Sequence, residues 1–189
     1  MGKERDIPKK IAFVGAASIG KTTLLNELRE QYGHNSSIAF VDEVARAYFT
    51  ENPTEPDLVF SFDVQKSIQD RIVANEQKTY EQRPAVIFCD RSVIDAVVHL
   101  QAHKDEEGAT KLLENVEDWL PTYTLFLLLD PTDVPYKTDD IRRESEDTRN
   151  HIHNSFLRFF AKNELPYQLL SGTVEERVSK VEEIVFEAE

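Results

Sequence analysis

Cysteine occurs once in this chain, at Cys89, which excludes an internal disulfide and any multi-cysteine zinc site and predicts a reducing, cytoplasmic setting. No stretch approaches the ~18 consecutive apolar residues of a membrane span. The opening residues MGKERDIPKK pass from charge straight into an apolar run, with no signal-peptide core, so secretion is not expected. Cationic residues are few as well: 22 Lys plus Arg stand against 35 Asp plus Glu, a formal net charge of -13. Such a surface repels a phosphate backbone, so duplex nucleic acid is not an expected partner. A few placed cations and backbone amides still suffice for a small phosphorylated metabolite. Internal repeats, low-complexity tracts and domain-dividing linkers are absent too. What is present, 189 residues with 40% hydrophobic and 30% charged, reads as a single globular domain over residues 1–189 whose core needs no staple. Self-association into a homo-oligomer is left open.

Short apolar runs alternate with segments of helical period. Lys9 to Gly15, Ile38 to Val41, Ala85 to Cys89, Tyr123 to Leu129 and Tyr167 to Leu170 read as strands. Helices are expected after Gly20, from Asp42 through Tyr48, over Asp57 to Gln82 with Phe60, Val64, Ile68 and Ile72 in step, over Val93 to His103, Ala109 to Trp119, Asn150 to Asn163, and from Val174. This alternation, with strands apolar throughout, argues for an α/β fold built on a parallel sheet covered on both faces. Right-handed crossovers then bring the carboxyl ends of the strands to one edge, where open sheets bind ligands. Gly15, Asp42, Asp90 and Asp130 fall at such ends. The charge-dense segment at about 132–148 is too polar for core and reads as a flexible lid.

Gly15-Ala16-Ala17-Ser18-Ile19-Gly20-Lys21-Thr22 matches G-x-x-x-x-G-K-[ST] completely, a pattern expected by chance in well under about 1% of chains this long. It follows an expected strand and opens an expected helix, as its mechanism requires. Glycines let the backbone curl so that N–H groups converge on phosphate oxygens, where the helix dipole adds positive charge. Residues 15–22 with Thr23 are the candidate nucleotide cradle. Lys21 is expected to reach the β and γ phosphates, and Thr22 to ligate magnesium. Asp42 and Glu43 follow the second strand, where a carboxylate accepts the proton of an attacking hydroxyl or holds magnesium through water. Asp90 fits a magnesium site, Arg91 a phosphate or substrate hydroxyl, and Ser92 a helix N-cap. In the lid, Arg142 and Arg143 are candidates to close on the phosphates. His99 and His103, four apart, have metal-binding spacing but no supporting ligands, and a solvated helix face is the expectation. Of Tyr48, Phe49, Phe60 and Phe62, one is expected to stack on a base.

Beyond the generic cradle stand more specific features: Glu43-Val44-Ala45-Arg46-Ala47-Tyr48 after the second strand, a long Gln-containing helix before Ala85, Asp90 at a strand end, Asp139-Asp140-Ile141-Arg142-Arg143, and Leu165-Pro166-Tyr167. Together these resemble the P-loop nucleoside kinases, and most closely the NadR-type ribosylnicotinamide kinase domains, a group of AAA-like ATP-binding proteins. The family's Glu-Tyr-Gly-Arg-Glu-Tyr stretch ranks Glu43 above Asp42 and adds Arg46 and Tyr48, with Asp90 and Arg91, as substrate-binding candidates. The resemblance implies ATP, Mg2+, a five-stranded and mostly parallel sheet in a three-layer P-loop fold, and transfer of a γ-phosphoryl group to a nucleoside-like hydroxyl, with nicotinamide riboside favoured. Two departures stand out. Ile141 replaces the lid glycine, and Asp90 is followed by Arg-Ser, as in deoxynucleoside and thymidylate kinases.

A GTPase switch would need D-x-x-G directly after a strand. Asp105-Glu106-Glu107-Gly108 fits by letter but follows a polar helix end, and Tyr136-Lys137-Thr138-Asp139 misses the guanine-reading pattern at its first residue. A nucleoside monophosphate kinase and a slow ATP-hydrolysing regulator without a small-molecule acceptor stay open, because the same cradle serves all three.

Overall fold

The computed structural model describes residues 7–132 and 145–187. Its strands are β1 (Lys9–Val14), β2 (Ile38–Val41), β3 (Val86–Asp90), β4 (Leu125–Leu129) and β5 (Tyr167–Leu170), in the order β2-β3-β1-β4-β5. Every pairing is parallel, so the sheet is parallel throughout. β3 is buried at every residue and β1 at every residue but Lys9, as strands covered on both faces require, whereas β5 lies at an edge and buries only Leu170. The helices are α1 (Lys21–Tyr32), α2 (Val44–Glu51), α3 (Phe62–Tyr80), α4 (Val93–Ala102), α5 (Glu106–Asn115), α6 (Glu146–Asn163) and α7 (Val174–Glu182), the last running into a π turn at Glu183–Glu187. α4 packs against α3, α5 and α6, while α1 packs against α7, which gives the two helical layers of a three-layer α/β fold. No helix among the described residues is long and apolar enough to cross a membrane.

Several helix ends differ from the periodicity, each for a local reason. α3 starts at Phe62, five residues later than expected. Turn bonds from Leu58 N–H to Glu55 O and from Ser61 N–H to Leu58 O fold the preceding stretch, and Phe60 shares the helical spacing without sharing the helix. α5 starts earlier, at Glu106, because the Asp105 carboxylate accepts the Gly108 N–H at 2.8 Å. That cap also accounts for the D-x-x-G letters. α6 reaches back to Glu146, capped by Ser145, whose hydroxyl accepts the Thr148 N–H at 3.1 Å. The end of the segment expected as a lid is therefore helix, and Arg149 is buried in it. Arg142 and Arg143 lie outside the described residues.

Opposite the ligand edge, at the start of β1, Lys10 is buried with 0% exposure and its Nζ sits 2.6 Å from Glu76 Oε2 on α3. Trp119 and Tyr123 also donate to that carboxylate, at 2.7 and 2.6 Å. The Lys10 ammonium lies 3.7 Å from the Tyr123 ring centroid. A charge buried on a strand whose other buried residues are all apolar is thus paired and set against aromatic faces.

Candidate active site

The register pairs Phe13 with Asp90 and Val14 with Leu128, so the ends of β1, β3 and β4 lie side by side. The loop from Gly15 to Gly20 leaves β1 there and enters α1. Gly15 has φ +131, where a side chain strains the backbone, and a Cβ on it would have to displace Ile19 Cδ1, 2.5 Å away. Gly20, at the N-cap of α1, has φ +89. Lys21 is buried, and its Nζ donates to Gly15 O at 3.0 Å and Ala16 O at 2.5 Å. Burial, and after it the nearby Arg91 charge, pulls its pKa down to about 7.

Thr22 Oγ1 donates to Asp90 Oδ2 at 2.9 Å, and Asp90 Oδ1 is buried without a hydrogen-bond partner. A hydroxyl and a carboxylate meeting at the start of α1, with one carboxylate oxygen left over, fit a magnesium ion that draws its other ligands from water and phosphate. Among the described residues no cluster of three or more His, Cys, Asp or Glu side chains could hold a metal by itself.

At the end of β2 successive side chains point to opposite sides, and the two acidic candidates part there. Asp42 is turned outward, 81% exposed, and pairs with Arg29 on the surface. Its expected catalytic place is therefore corrected. Glu43 is turned inward, its side chain 8% exposed, with Oε1 accepting Arg91 Nε at 2.9 Å and Oε2 3.7 Å from Arg46 Nε. Arg91 holds φ +77, a strained conformation for a residue with a Cβ, while its N–H donates to Phe13 O. Its Nη1 reaches Asp95 Oδ1 at 3.0 Å. Burial works against the Arg91 charge, but Glu43 and Asp95 outweigh it and raise its pKa above the ordinary value. Burial raises Asp95, and Arg91 partly offsets the effect. Ser92 caps α4 as expected, its N–H and hydroxyl donating to Asp95 Oδ2 at 2.9 and 3.0 Å.

Glu43, Arg91 and Asp95 line a cavity of about 880 Å³ together with Ala17 of the loop, Arg46, Phe49, Phe60 and His99. This is the size of a small-ligand site, mostly apolar with a few convergent polar groups. Tyr48 is not among its lining residues. It packs edge-on to Phe49 at 5.5 Å, with Arg71 over its ring at 5.0 Å, so Phe49 takes the place expected of Tyr48. His99 is buried instead of solvated, and it and His103 stack on Phe60 at 5.2 and 3.9 Å. Sequence reasoning missed Asp95, although its S-x-x-D spacing after Ser92 is a capping signature. It also missed Arg177, buried on α7 beside Glu175 and Glu176, for which the sequence carries no signal.

A family model described as AAA domain matches residues 10–177, and no curated protein matches. Among solved structures, NadR protein in complex with NAD and AMP-PNP superposes with a TM-score of 0.77 at 18% identity, over 98% of this chain and 51% of that one. NadR in complex with NR gives 0.76 at 20% identity, over 96% and 50%. The chain thus spans about half the length of the NadR structures. Deoxyadenosine kinase from M. mycoides, with the products dCMP and dCDP, gives 0.61 at 12% identity over 95% of this chain and 100% of that one.

Proposed function

Since the chain belongs to the AAA domain family and folds as the P-loop nucleoside kinases do, we propose that it moves the γ-phosphoryl group of ATP to a hydroxyl of a nucleoside-like acceptor, nicotinamide riboside being the favoured one. The observation that carries this reading is a buried carboxylate, Glu43, lining the same cavity as the phosphate loop, with Arg91 and Asp95 fixing its surroundings. A regulator that only hydrolyses ATP has no use for a walled acceptor chamber beside the loop.

In this reading residues 15–23 cradle the polyphosphate and Lys21 neutralises charge on the transferring group. Thr22 and Asp90 hold Mg2+, which when bound offsets phosphate charge. Glu43 accepts the proton of the acceptor hydroxyl as its oxygen forms a bond to the γ phosphorus, while the bond from that phosphorus to the β–γ bridging oxygen breaks and ADP leaves with the electron pair. Arg91 and Arg46 orient the acceptor. The cavity charges favour an unphosphorylated acceptor over a nucleoside monophosphate. Arg91 is matched by Glu43 and Asp95, and Arg46 faces Glu43, which leaves no surplus arginine among the described lining residues for a phosphomonoester.

ATP consumption with magnesium, screened across nucleosides, nicotinamide riboside and nucleoside monophosphates, tests the proposal. Stimulation by a nucleoside-like acceptor, lost in Lys21→Ala, supports it. Consumption indifferent to every acceptor defeats it in favour of the regulator, and stimulation by monophosphates alone favours the monophosphate kinase.

A further inference from the structure

The last helix reaches the phosphate loop through one side chain. Arg177 on α7 is 2% exposed and has no role in the chemistry above. Its Nη1 donates to Ile19 O at 2.9 Å and its Nη2 to Asp130 O at 2.8 Å, so a single planar guanidinium ties the loop to the residue that follows β4. Burying a guanidinium carries a desolvation cost that an apolar side chain at the same position avoids. What the guanidinium adds is a rigid fork with two donors for two diverging carbonyls, which a lysine cannot supply.

The consequence lies in the peptide between Ile19 and Gly20. That peptide is trans, so its C=O and N–H point in opposite directions. Gly20 has no Cβ and sits at φ +89, where the backbone is free to turn the peptide either way. The bond from Arg177 removes that freedom: it draws the Ile19 carbonyl toward α7 and so turns the Gly20 N–H to the other side of the loop. We infer that Arg177 is a positioning residue for nucleotide binding, one that fixes the orientation of the Gly20 amide presented to the phosphates. The inference rests on the cradle's proposed nucleotide binding and is independent of the acceptor's identity.

The test is nucleotide affinity without any acceptor. AMP-PNP and magnesium are titrated into wild-type protein, Arg177→Lys and Arg177→Met, and each ligand-free protein is melted alongside. Arg177→Met should weaken AMP-PNP binding by about tenfold or more, the usual consequence of losing charge-assisted bonds. Arg177→Lys, which keeps the charge but one bond at most, should fall between. A residue with a purely structural role would lower the melting temperature and the active fraction while leaving the dissociation constant of the folded molecules unchanged. Folded variants that bind AMP-PNP as the wild type does would overturn the inference, as would loss of the fold in both. Wild-type protein that binds AMP-PNP yet phosphorylates no acceptor defeats the kinase reading and leaves this one to its own result. Wild-type protein that binds no AMP-PNP ends both.

Discussion

Nucleotide binding should draw a proton from solvent, and Lys21 sets how much. Its ammonium is buried against Gly15 O and Ala16 O, and desolvation first, Arg91 second, bring its pKa to about 7. A polyphosphate in the cradle supplies the opposite charge and returns Lys21 toward its ordinary value of about 10.4. At pH 8 roughly a tenth of the ligand-free protein then carries this proton while nearly all of the complex does, an uptake of about 0.9 proton per nucleotide bound. At pH 6 Lys21 is already protonated in both states and the uptake falls to about 0.1. Affinity should therefore be level below about pH 7 and decline above it by up to about tenfold per pH unit. Calorimetric titration of AMP-PNP and magnesium at pH 8, in two buffers of different ionisation enthalpy, reads the uptake directly, and Lys21→Met should abolish it. The same shift fixes a sign for folding. Unfolded lysine keeps its proton to about pH 10.4, whereas folded Lys21 releases it near 7, so the unfolded state binds more protons in between. Stability from this group therefore rises from about pH 7 to about pH 10 and is poorest below 7. No proton uptake at pH 8 would refute the assignment of Lys21 to a desolvated phosphate site.

Glu43→Gln should lower kcat by about 10² with the KM for ATP unchanged; in steady-state assays an unaltered kcat would move the general base elsewhere. Asp90→Asn should raise the magnesium needed for half-maximal turnover by about tenfold or more, and a magnesium titration matching wild type would remove Asp90 from that site. Lys10→Met leaves the Glu76 carboxylate buried without its cation, so urea denaturation should show a loss of about 3–5 kcal/mol, with part recovered in Lys10→Met/Glu76→Gln. A loss below about 1 kcal/mol would mean that Trp119 and Tyr123 alone satisfy the carboxylate.

The inner sheet is legible in the sequence because strands covered on both faces need unbroken apolar runs, and Val86–Asp90 and Leu125–Leu129 fall where those runs lie. Helix starts are less legible, since they depend on caps that outweigh periodicity. Phe60 keeps perfect helical spacing with Val64, Ile68 and Ile72, yet it stands in a turn, its ring stacked on His99 and His103. Ser145, Glu146 and Asp147 read as part of a solvated charge run, but an N-cap followed by two acids in the first turn is also what complements a helix dipole, and α6 begins there.

At the site, the letters of residues 15–22 carry most of the loop because glycines at positive φ set its turns, while the bond from Arg177 that holds the Ile19 carbonyl comes from far along the chain. The acceptor side has no such local code. Glu43 and Arg91 are 48 positions apart and meet only because β2 pairs with β3, and the choice of Glu43 over Asp42 turns on which of two adjacent side chains points inward. That meeting decides how the cavity can recognise anything. With Arg91 held by Glu43 and Asp95 and Arg46 facing Glu43, long-range charge has little left to attract an acceptor. In the proposed reading, selectivity falls to shape, to contact with Phe49, and to a hydroxyl that can bond to Glu43. An acceptor lacking that hydroxyl would leave a buried carboxylate under-solvated, a penalty larger than any single apolar contact in the chamber can offset.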